Sequence, residues 1–507
     1  MFAQTFGSTT VGLNGVLITV EVDIANGLPG LDIVGLPDTA VRESRERVRA
    51  AIKNAGFKFP AQRITVNLAP ADLKKDSSGL DLPIAIGILS ASGYIVPENC
   101  RNCLFISELS LEGKLRGISG MLPMAVNCQE QGIKELFLAP ENAQEALLVD
   151  NLDVYAPGSL EQLVLHLNCR QKLSPEVKND NAELSYDKYD DFAEIQGQIV
   201  AKRALEIAAT GGHNVLMVGP PGSGKTMLAK RIPSILPAMS TKEALEVTKI
   251  YSVAGLLKTG SGLIAARPFR NPHHTVSSAG MIGGGSIPRP GEVTLSHHGV
   301  LFLDELPEFP KTVLEVLRQP LEDGQVTISR VNASLSFPAK SILIASMNPC
   351  PCGFYGDANH SCSCSSGDIH RYVKKISGPL LDRFDIHIHV PRLEYSEFTN
   401  TTPSESSETI RQRVEIARAL QCERLKKYGL FCNAQMGHKH LKTTCPMTDD
   451  AQALLKQAFS KMNLSGRGYD RIIKVARTIA DLAGSEKING QYIAEAIHYR
   501  NNLQGLE

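Results

Sequence analysis

Gly219-Pro220-Pro221-Gly222-Ser223-Gly224-Lys225-Thr226 fits the pattern G-x-x-x-x-G-K-[ST], a spacing that serves phosphate chemistry. Glycines let successive backbone N–H groups close around an anion, and the helix that follows adds the positive end of its dipole. In such a loop Lys225 reaches the β- and γ-phosphates of ATP, and the Thr226 hydroxyl binds Mg²⁺. The loop follows the apolar run HNVLMV (213–218) and precedes a segment that reads as a helix. Further along, Val300-Leu-Phe-Leu-Asp304-Glu305 is an apolar strand ending in two acids. Asp304 is expected to hold the Mg²⁺ shell and Glu305 to polarise the attacking water. The strand SILIASMNP (341–349) brings Asn348 to its tip, where an amide can orient that water.

A second constellation is Cys350-Pro-Cys352 followed by Cys362-Ser-Cys364. Four sulfurs this close in sequence suit a tetrahedral Zn²⁺. The C-x-C pairs are tighter than the usual C-x-x-C, and His360 could replace one ligand. A filled ligand set makes this a structural metal. The plainer alternative is four reduced thiols on a loop. The remaining cysteines (100, 103, 128, 169, 422, 432, 445) read as small buried hydrophobes.

These groups need elements to position them. Asn214–Val218, Val300–Leu303 and Ser341–Ala345 are short apolar runs of the kind buried in a parallel sheet, and Gly224–Ile232 opens a helix between them. Before this region, Leu17–Ile24 and Arg63–Leu68 read as strands. The segment 39–54 reads as a helix starting at Asp38 and stopped by Gly56, and Leu82–Ala91 as an apolar helix. The stretch 166–190 is polar and reads as a linker. Beyond 396 the pattern is helical over 408–428, 448–462, 467–483 and 489–501.

Composition sets outer bounds. The chain has 507 residues, 43% hydrophobic and 21% charged, which is ordinary for a globular protein of two to four domains. Lys+Arg and Asp+Glu are equal at 53 each, so any surface for a polyanion must be local. The opening MFAQTFGSTTVGLNG lacks a basic stretch followed by an apolar core, so no secretory signal is expected. No apolar run is long enough to span a bilayer, and a cytoplasmic location is expected, with no membrane partner.

The segment between the two nucleotide motifs carries a resemblance. RPFRNPHHTVSSAGMIGGGSIPRPGEVTLSHHGVLFLDELPEF (267–309), LEDGQVTISR, SMNPCPCG, ISGPLLDRFDIHIHVP and SGRGYDRIIKVARTIADL are similar to the magnesium-chelatase-like AAA+ ATPases, the YifB/ComM family of bacteria, over nearly the whole chain. The resemblance implies a homo-hexameric ring with inserted loops facing its channel. ComM-type members are helicases promoting branch migration of DNA during natural transformation. Gly378-Pro-Leu-Leu-Asp-Arg383-Phe-Asp resembles the arginine-finger box of AAA+ proteins, in which Arg383 would act on a neighbour's γ-phosphate. The plainer alternative is a local ion pair with Asp382 or Asp385. Arg467 and Arg471 lie near a helix start, and one of them is the expected second sensor. Arg471 is favoured because it heads the amphipathic helix.

The front of the chain resembles the peptidase-type domain of Lon protease, best over LKKDSSGLDLPIAIGIL (73–89). Proteolysis there needs a Ser activated by a Lys. Neither Ser77 nor Ser78 aligns cleanly, and ISGMLPMA (118–125), where the Lys would fall, has none. The domain is therefore read as non-catalytic. Its helix carries Arg42, Arg45, Arg47, Arg49 and Lys53, more simply a solvated face than a DNA surface.

The expected fold class is α/β. Residues 1–165 form a Lon-protease-like α+β domain and 166–190 a linker. Residues 191–395 form an AAA+ P-loop core with a parallel sheet, channel inserts and the four-cysteine loop, and 396–507 a helical lid. The leading function is an ATP-driven DNA motor, a helicase or branch-migration factor. The alternative is a magnesium-chelatase-type ATPase remodelling a protein partner, and an ATP-dependent protease is disfavoured by the missing Lys. DNA contacts are assigned to the loop 271–291, with His273, His274 and a glycine tip at 283–285, and to the hairpin 324–337 carrying Arg330.

Overall fold

The computed structural model describes residues 1–501 apart from 76, 180–188, 259, 261, 286–287, 331–332, 358–359, 394–403 and 463. It divides into two compact units. One comprises Met1–Tyr186 with Thr241–Ala265, the other Asp187–Ser240 with Ala266–Glu507. The helix Thr241–Val253, expected inside the span 191–395, packs in the first unit on the helix Met121–Glu130.

The first unit is built on a mixed seven-stranded sheet. Its strand order is Gly30–Val34, Arg63–Ala69, Asn14–Ala25, Phe2–Val11, Cys103–Ile106, Glu135–Leu138, Asp153–Tyr155. The long hairpin Phe2–Val11/Asn14–Ala25 is antiparallel and the three strands beyond it run parallel to Phe2–Val11. The helix Asp81–Ala91 is buried along its whole length, as a helix apolar on every face must be. A Cβ on its Gly87 would lie 2.7 Å from Val22, so glycine allows the helix to press onto the sheet. Its one acid, Asp81, is buried and paired with Arg47 at 2.7 Å and with Ser44. The Arg-rich helix Thr39–Asn54 buries Val41, Ser44, Val48, Ala51 and Ile52, the spacing of one helical face. Arg42 and Arg49 stay exposed, while Arg47 is committed to Asp81.

The second unit centres on a five-stranded parallel sheet in the order Phe269–Arg270, Val300–Leu303, Ile342–Met347, Val215–Val218, Ile386–His389. Val215–Val218 and Val300–Leu303 are buried at every residue, as central strands covered on both faces are. Parallel pairing fixes which groups share an edge. Val215 is level with Ile344 and Ile386, and Val218 with Met347 and His389. The C-terminal tips of these strands therefore sit side by side.

The C-terminal helices are Ser407–Leu425, His438–Thr444, Asp449–Lys461, Gly466–Leu482 and Gly490–Asn501. Ile410, Val414, Ile472, Ile479 and Ile493 share one apolar core with Val215, Met217, Ile386 and Ile388. The helical region is thus packed as part of the sheet's own unit. No described helix is long and apolar enough to cross a membrane.

Candidate nucleotide site

Residues 219–224 connect Val215–Val218 to the helix Lys225–Arg231. Gly222 and Gly224 hold positive φ, 76° and 89°, a conformation that costs glycine nothing. Gly219 is fixed by contact, since a Cβ there would overlap the Val390 carbonyl oxygen. Lys225 is nearly buried and donates to the Gly219 and Pro220 carbonyls at 2.6 and 2.9 Å. Its Nζ also lies 3.4 Å from Asn348 Oδ1. Burial pushes the Lys225 ammonium down to about 8, partly offset by the charges of Asp304 and Glu305. The cation is thus held at the loop before any phosphate arrives.

The Thr226 hydroxyl donates to Asp304 Oδ2 at 2.8 Å, and Asp304 Oδ1 accepts the Ser346 hydroxyl. Sequence reasoning missed Ser346. The signal was present, because Ser346 stands two residues before Asn348, which directly follows the strand Ile342–Met347. Thr226 and Asp304 offer only oxygen donors side by side, which suits a hard cation such as Mg²⁺. Glu305 leaves the strand in the left-handed region, φ 53°, which costs a non-glycine residue on the order of 1–3 kcal/mol. That turn leaves its side chain 60% exposed, with Oε2 3.9 Å from His274 Nδ1. Glu305, Asp304, Lys225, Thr226 and Asn348 are therefore brought together at the C-terminal edge of the sheet.

The expected finger and sensor arginines are at the other edge. Arg383 lies ahead of Ile386–His389, and its carbonyl accepts from Asn214 Nδ2 at 3.0 Å, just before Val215. Its guanidinium pairs with Glu322, rather than with the Asp382 or Asp385 considered from the sequence, and Arg467 binds the same Glu322 at 3.2 Å. Arg471 meets Asp385 at 3.1 Å and is only 12% exposed. Burial acts to raise the Asp385 carboxyl, but the hydrogen bond and charge of His213, with Arg471 and Lys474, hold it below the usual carboxylate range. Asn214 and Gly219 are five residues apart in the sequence, roughly 16 Å of extended strand. None of these arginines is directed at its own chain's phosphate loop.

The four cysteines converge. All four sulfurs lie within 4.8 Å of one another, with Cys350–Cys352, Cys352–Cys362 and Cys350–Cys362 at 3.3, 3.5 and 3.7 Å. A Zn–S bond of about 2.3 Å in a tetrahedron demands S···S separations of roughly 3.8 Å, so the donor set fits zinc. Backbone N–H groups of Tyr355 and Cys364 point at Cys350 and Cys362 Sγ. His360 is not a member of the group and stacks on Phe354, centroids 5.0 Å apart. Among the other cysteines, 100, 103, 128, 432 and 445 are buried, but Cys169 is exposed and Cys422 half-buried.

The inserts are partly as expected. Gln325–Arg330 and Ala333–Pro338 form an antiparallel hairpin with Val326 opposite Phe337. The Arg330 side chain and residues 331–332 lie outside the described residues. His274, expected on a DNA-facing loop, stands beside Glu305 and packs edge-on to Phe309, and the exposed His273 stacks on it at 4.1 Å. The glycines do not make a free tip at their start. Gly283 and Gly284 pair with Pro290 and Arg289, and a Cβ on Gly283 would lie 3.0 Å from Ile328 of the hairpin.

Among the described residues of the first unit, Ser77 and Lys75 form no reactive pair. Ser77 Oγ accepts the Gly79 N–H, and Lys75 Nζ turns to the Gly35 and Pro70 carbonyls. A side chain on Gly79 would meet Ile118 at 2.6 Å.

Comparison with known proteins agrees with this architecture. Residues 191–398 match the family model "Magnesium chelatase, subunit ChlI", 20–142 "Subunit ChlI of Mg-chelatase", and 404–500 "Magnesium chelatase, subunit ChlI C-terminal". Competence protein ComM of Haemophilus influenzae is 44% identical over 511 residues, spanning 100% of this chain and 98% of that protein. YifB of Escherichia coli is 42% identical over 491 residues, 97% of this chain and 95% of its own. The chloroplastic magnesium-chelatase subunit ChlI of Nicotiana tabacum is 23% identical over 209 residues, 41% of this chain and 43% of its own. A phosphate loop, an acidic strand end and a polar strand tip on one parallel sheet, in a chain matched over 97–100% of its length by ComM and YifB, make this protein a member of the YifB/ComM family of magnesium-chelatase-like AAA+ proteins.

Proposed function

We propose that this protein is an ATP-hydrolysing motor that works on DNA as a homo-hexameric ring, as a helicase or branch-migration factor in recombination during natural transformation. The observation that carries the reading is the separation of Arg383 from its own phosphate loop by the depth of the sheet. A cation that neutralises transition-state charge is useful only at a γ-phosphate. On this geometry it serves the next subunit, through the head-to-tail interface that closes a ring.

Within one site, the loop 219–224 and Lys225 hold the triphosphate. Thr226 and Asp304 hold Mg²⁺, which neutralises phosphate charge when bound. Glu305 takes the proton from the attacking water and Asn348 orients it. Arg471, the favoured second sensor, is anchored on Asp385. Arg467, 58% exposed and sharing Glu322 with the finger, is better placed to reach a neighbour's phosphates. The four-cysteine loop holds a structural Zn²⁺, and a cytoplasmic location suits its reduced thiols.

DNA as the track is supported by the full-length relative named a competence protein. The chelatase-subunit description extends over the front domain, so that domain does not separate a DNA motor from a partner-remodelling ATPase. The match to the plant chelatase subunit covers 41% of this chain, the share expected of a common motor module. Steady-state ATP turnover with and without forked DNA tests the proposal, with Lys225→Ala and Glu305→Gln as controls. DNA should raise turnover, Lys225→Ala should fail to bind nucleotide, and Glu305→Gln should bind but barely hydrolyse it. Turnover indifferent to DNA removes the DNA reading, and normal turnover by either variant removes the site assignment.

A further inference from the structure

The phosphate loop here begins with two consecutive prolines, Pro220 and Pro221. Prolines contribute carbonyls without N–H groups, so something else must hold those carbonyls away from an incoming anion. Lys225 takes the Pro220 oxygen at 2.9 Å. The Pro221 oxygen is taken by Arg392 Nη2 at 3.2 Å.

Arg392 is in turn held by the cysteine loop. Its guanidinium sits over the Phe354 ring, 5.4 Å from the centroid, and its Nε lies 3.6 Å from Asp357 Oδ2. Phe354 and Asp357 stand between Cys352 and Cys362 in the chain. A second contact is direct. Gly353, adjacent to Cys352, lies under the Pro221 ring, where a Cβ would come within 2.6 Å of Pro221 Cδ and 2.8 Å of Cγ. Its φ of 88° also favours glycine. A third link is covalent, since Cys350 follows Asn348 by two residues and Asn348 Oδ1 is 3.4 Å from Lys225 Nζ.

We infer that the four-cysteine loop is a brace for nucleotide binding, and that Gly353 and Arg392 are the positioning residues through which its metal-closed form sets the phosphate loop at Pro221. This rests on reading residues 219–226 as a nucleotide site. Four thiolates around one cation fix the loop's shape. That shape places Gly353 under Pro221 and presents Phe354 and Asp357 to Arg392. Without the cation the sulfurs take up protons and lose the bonds that hold them together, the support moves, and the phosphate loop loses pre-organisation. For Arg392 the loss appears in affinity rather than in the chemical step, because its described partners are Pro221, Phe354 and Asp357. A Cβ on Gly353 would also come within 3.9 Å of Asn348 Cγ, so the KM-against-kcat split is read on Arg392.

The test uses the full chain, zinc-loaded or stripped with a zinc-selective chelator and returned to excess Mg²⁺. Affinity for a fluorescent, non-hydrolysable ATP analogue is measured alongside metal content and thermal melting. Stripping the metal, Arg392→Ala and Gly353→Ala should each weaken binding about tenfold, the scale of a lost pre-organisation. Arg392→Lys, which keeps a donor for the Pro221 oxygen, should recover most of it. In the loaded Arg392→Ala protein, KM should rise while kcat stays within about twofold. Equal affinity of loaded and stripped protein, or of wild type and Arg392→Ala with zinc in place, overturns the brace. If the loaded wild type does not bind the analogue, or Lys225→Ala binds it equally well, the nucleotide-site reading fails instead.

Discussion

Arg383→Ala tests the proposed ring most directly, because the proposal assigns that side chain to a neighbouring subunit's site. The substitution removes a guanidinium paired with Glu322, an acid that is 52% exposed and keeps Arg467 at 3.2 Å. Arg383 itself is buried, so its removal should cost some stability, but the acid it leaves is exposed and still paired, so the subunit should still fold and bind nucleotide. Turnover should fall by about 10³-fold or more, the range for a missing finger. The geometry then makes a sharper statement about mixtures. Roughly 16 Å of strand lies between Asn214, which holds the Arg383 carbonyl, and Gly219. On the proposed reading Arg383 therefore complements only a neighbour. In rings mixed equally from Arg383→Ala and Glu305→Gln subunits, an interface is intact when a subunit with Glu305 meets a neighbour with Arg383. Random assembly makes about a quarter of interfaces intact, although each variant alone is nearly inactive. The assay is phosphate release at fixed total protein across the mixing ratio. A flat line at the level of the parents refutes action in trans, and so does Arg383→Ala protein with wild-type turnover.

Three further outcomes follow from the site. Burial holds the Lys225 ammonium at about 8 before nucleotide binds, below its ordinary 10.5. A bound triphosphate favours the protonated form, so affinity should fall as pH rises through 8, about tenfold weaker at pH 9 than at pH 7. Calorimetry should find proton uptake on binding in that window, and affinity unchanged between pH 7 and pH 9 would refute the assignment. Substituting Cys350 and Cys362 should release about one zinc ion per chain and lower the melting temperature, and metal analysis of reduced wild-type protein finding no zinc would falsify the site. Arg330→Ala should leave basal turnover intact, weaken DNA binding and reduce the salt slope by about one phosphate contact per subunit. An unchanged slope would move the DNA path elsewhere, to Arg42 and Arg49 on the front domain's helix.

Local pattern was enough to determine much of this protein. The runs at 214–218 and 300–303 are apolar at nearly every position and bounded by glycine or acid, so their strands and the groups at their tips could be read directly. The helices over 39–54, 82–91 and most of the C-terminal region could be read because their apolar spacing is helical or continuous, while the short helix His438–Thr444 was not. The cysteine cluster could be read because its ligands lie close along the chain. Tertiary structure alone decided the rest, where the relevant neighbours are distant in sequence. The strand level that separates Arg383 from Gly219 depends on parallel pairing between residues 215–218 and 386–389. The partner of Arg383 proved to be Glu322 on another element, not the adjacent acids. His274 reads as a loop histidine until the sheet brings it beside Glu305. The helix Thr241–Val253 follows the phosphate loop in the chain yet packs in the front unit, because helical periodicity shows that a face is buried without showing against what. Gly353 is an ordinary turn glycine in the sequence. That Pro221 fills the space where its Cβ would stand is a fact of packing between segments more than a hundred residues apart, which no local pattern encodes.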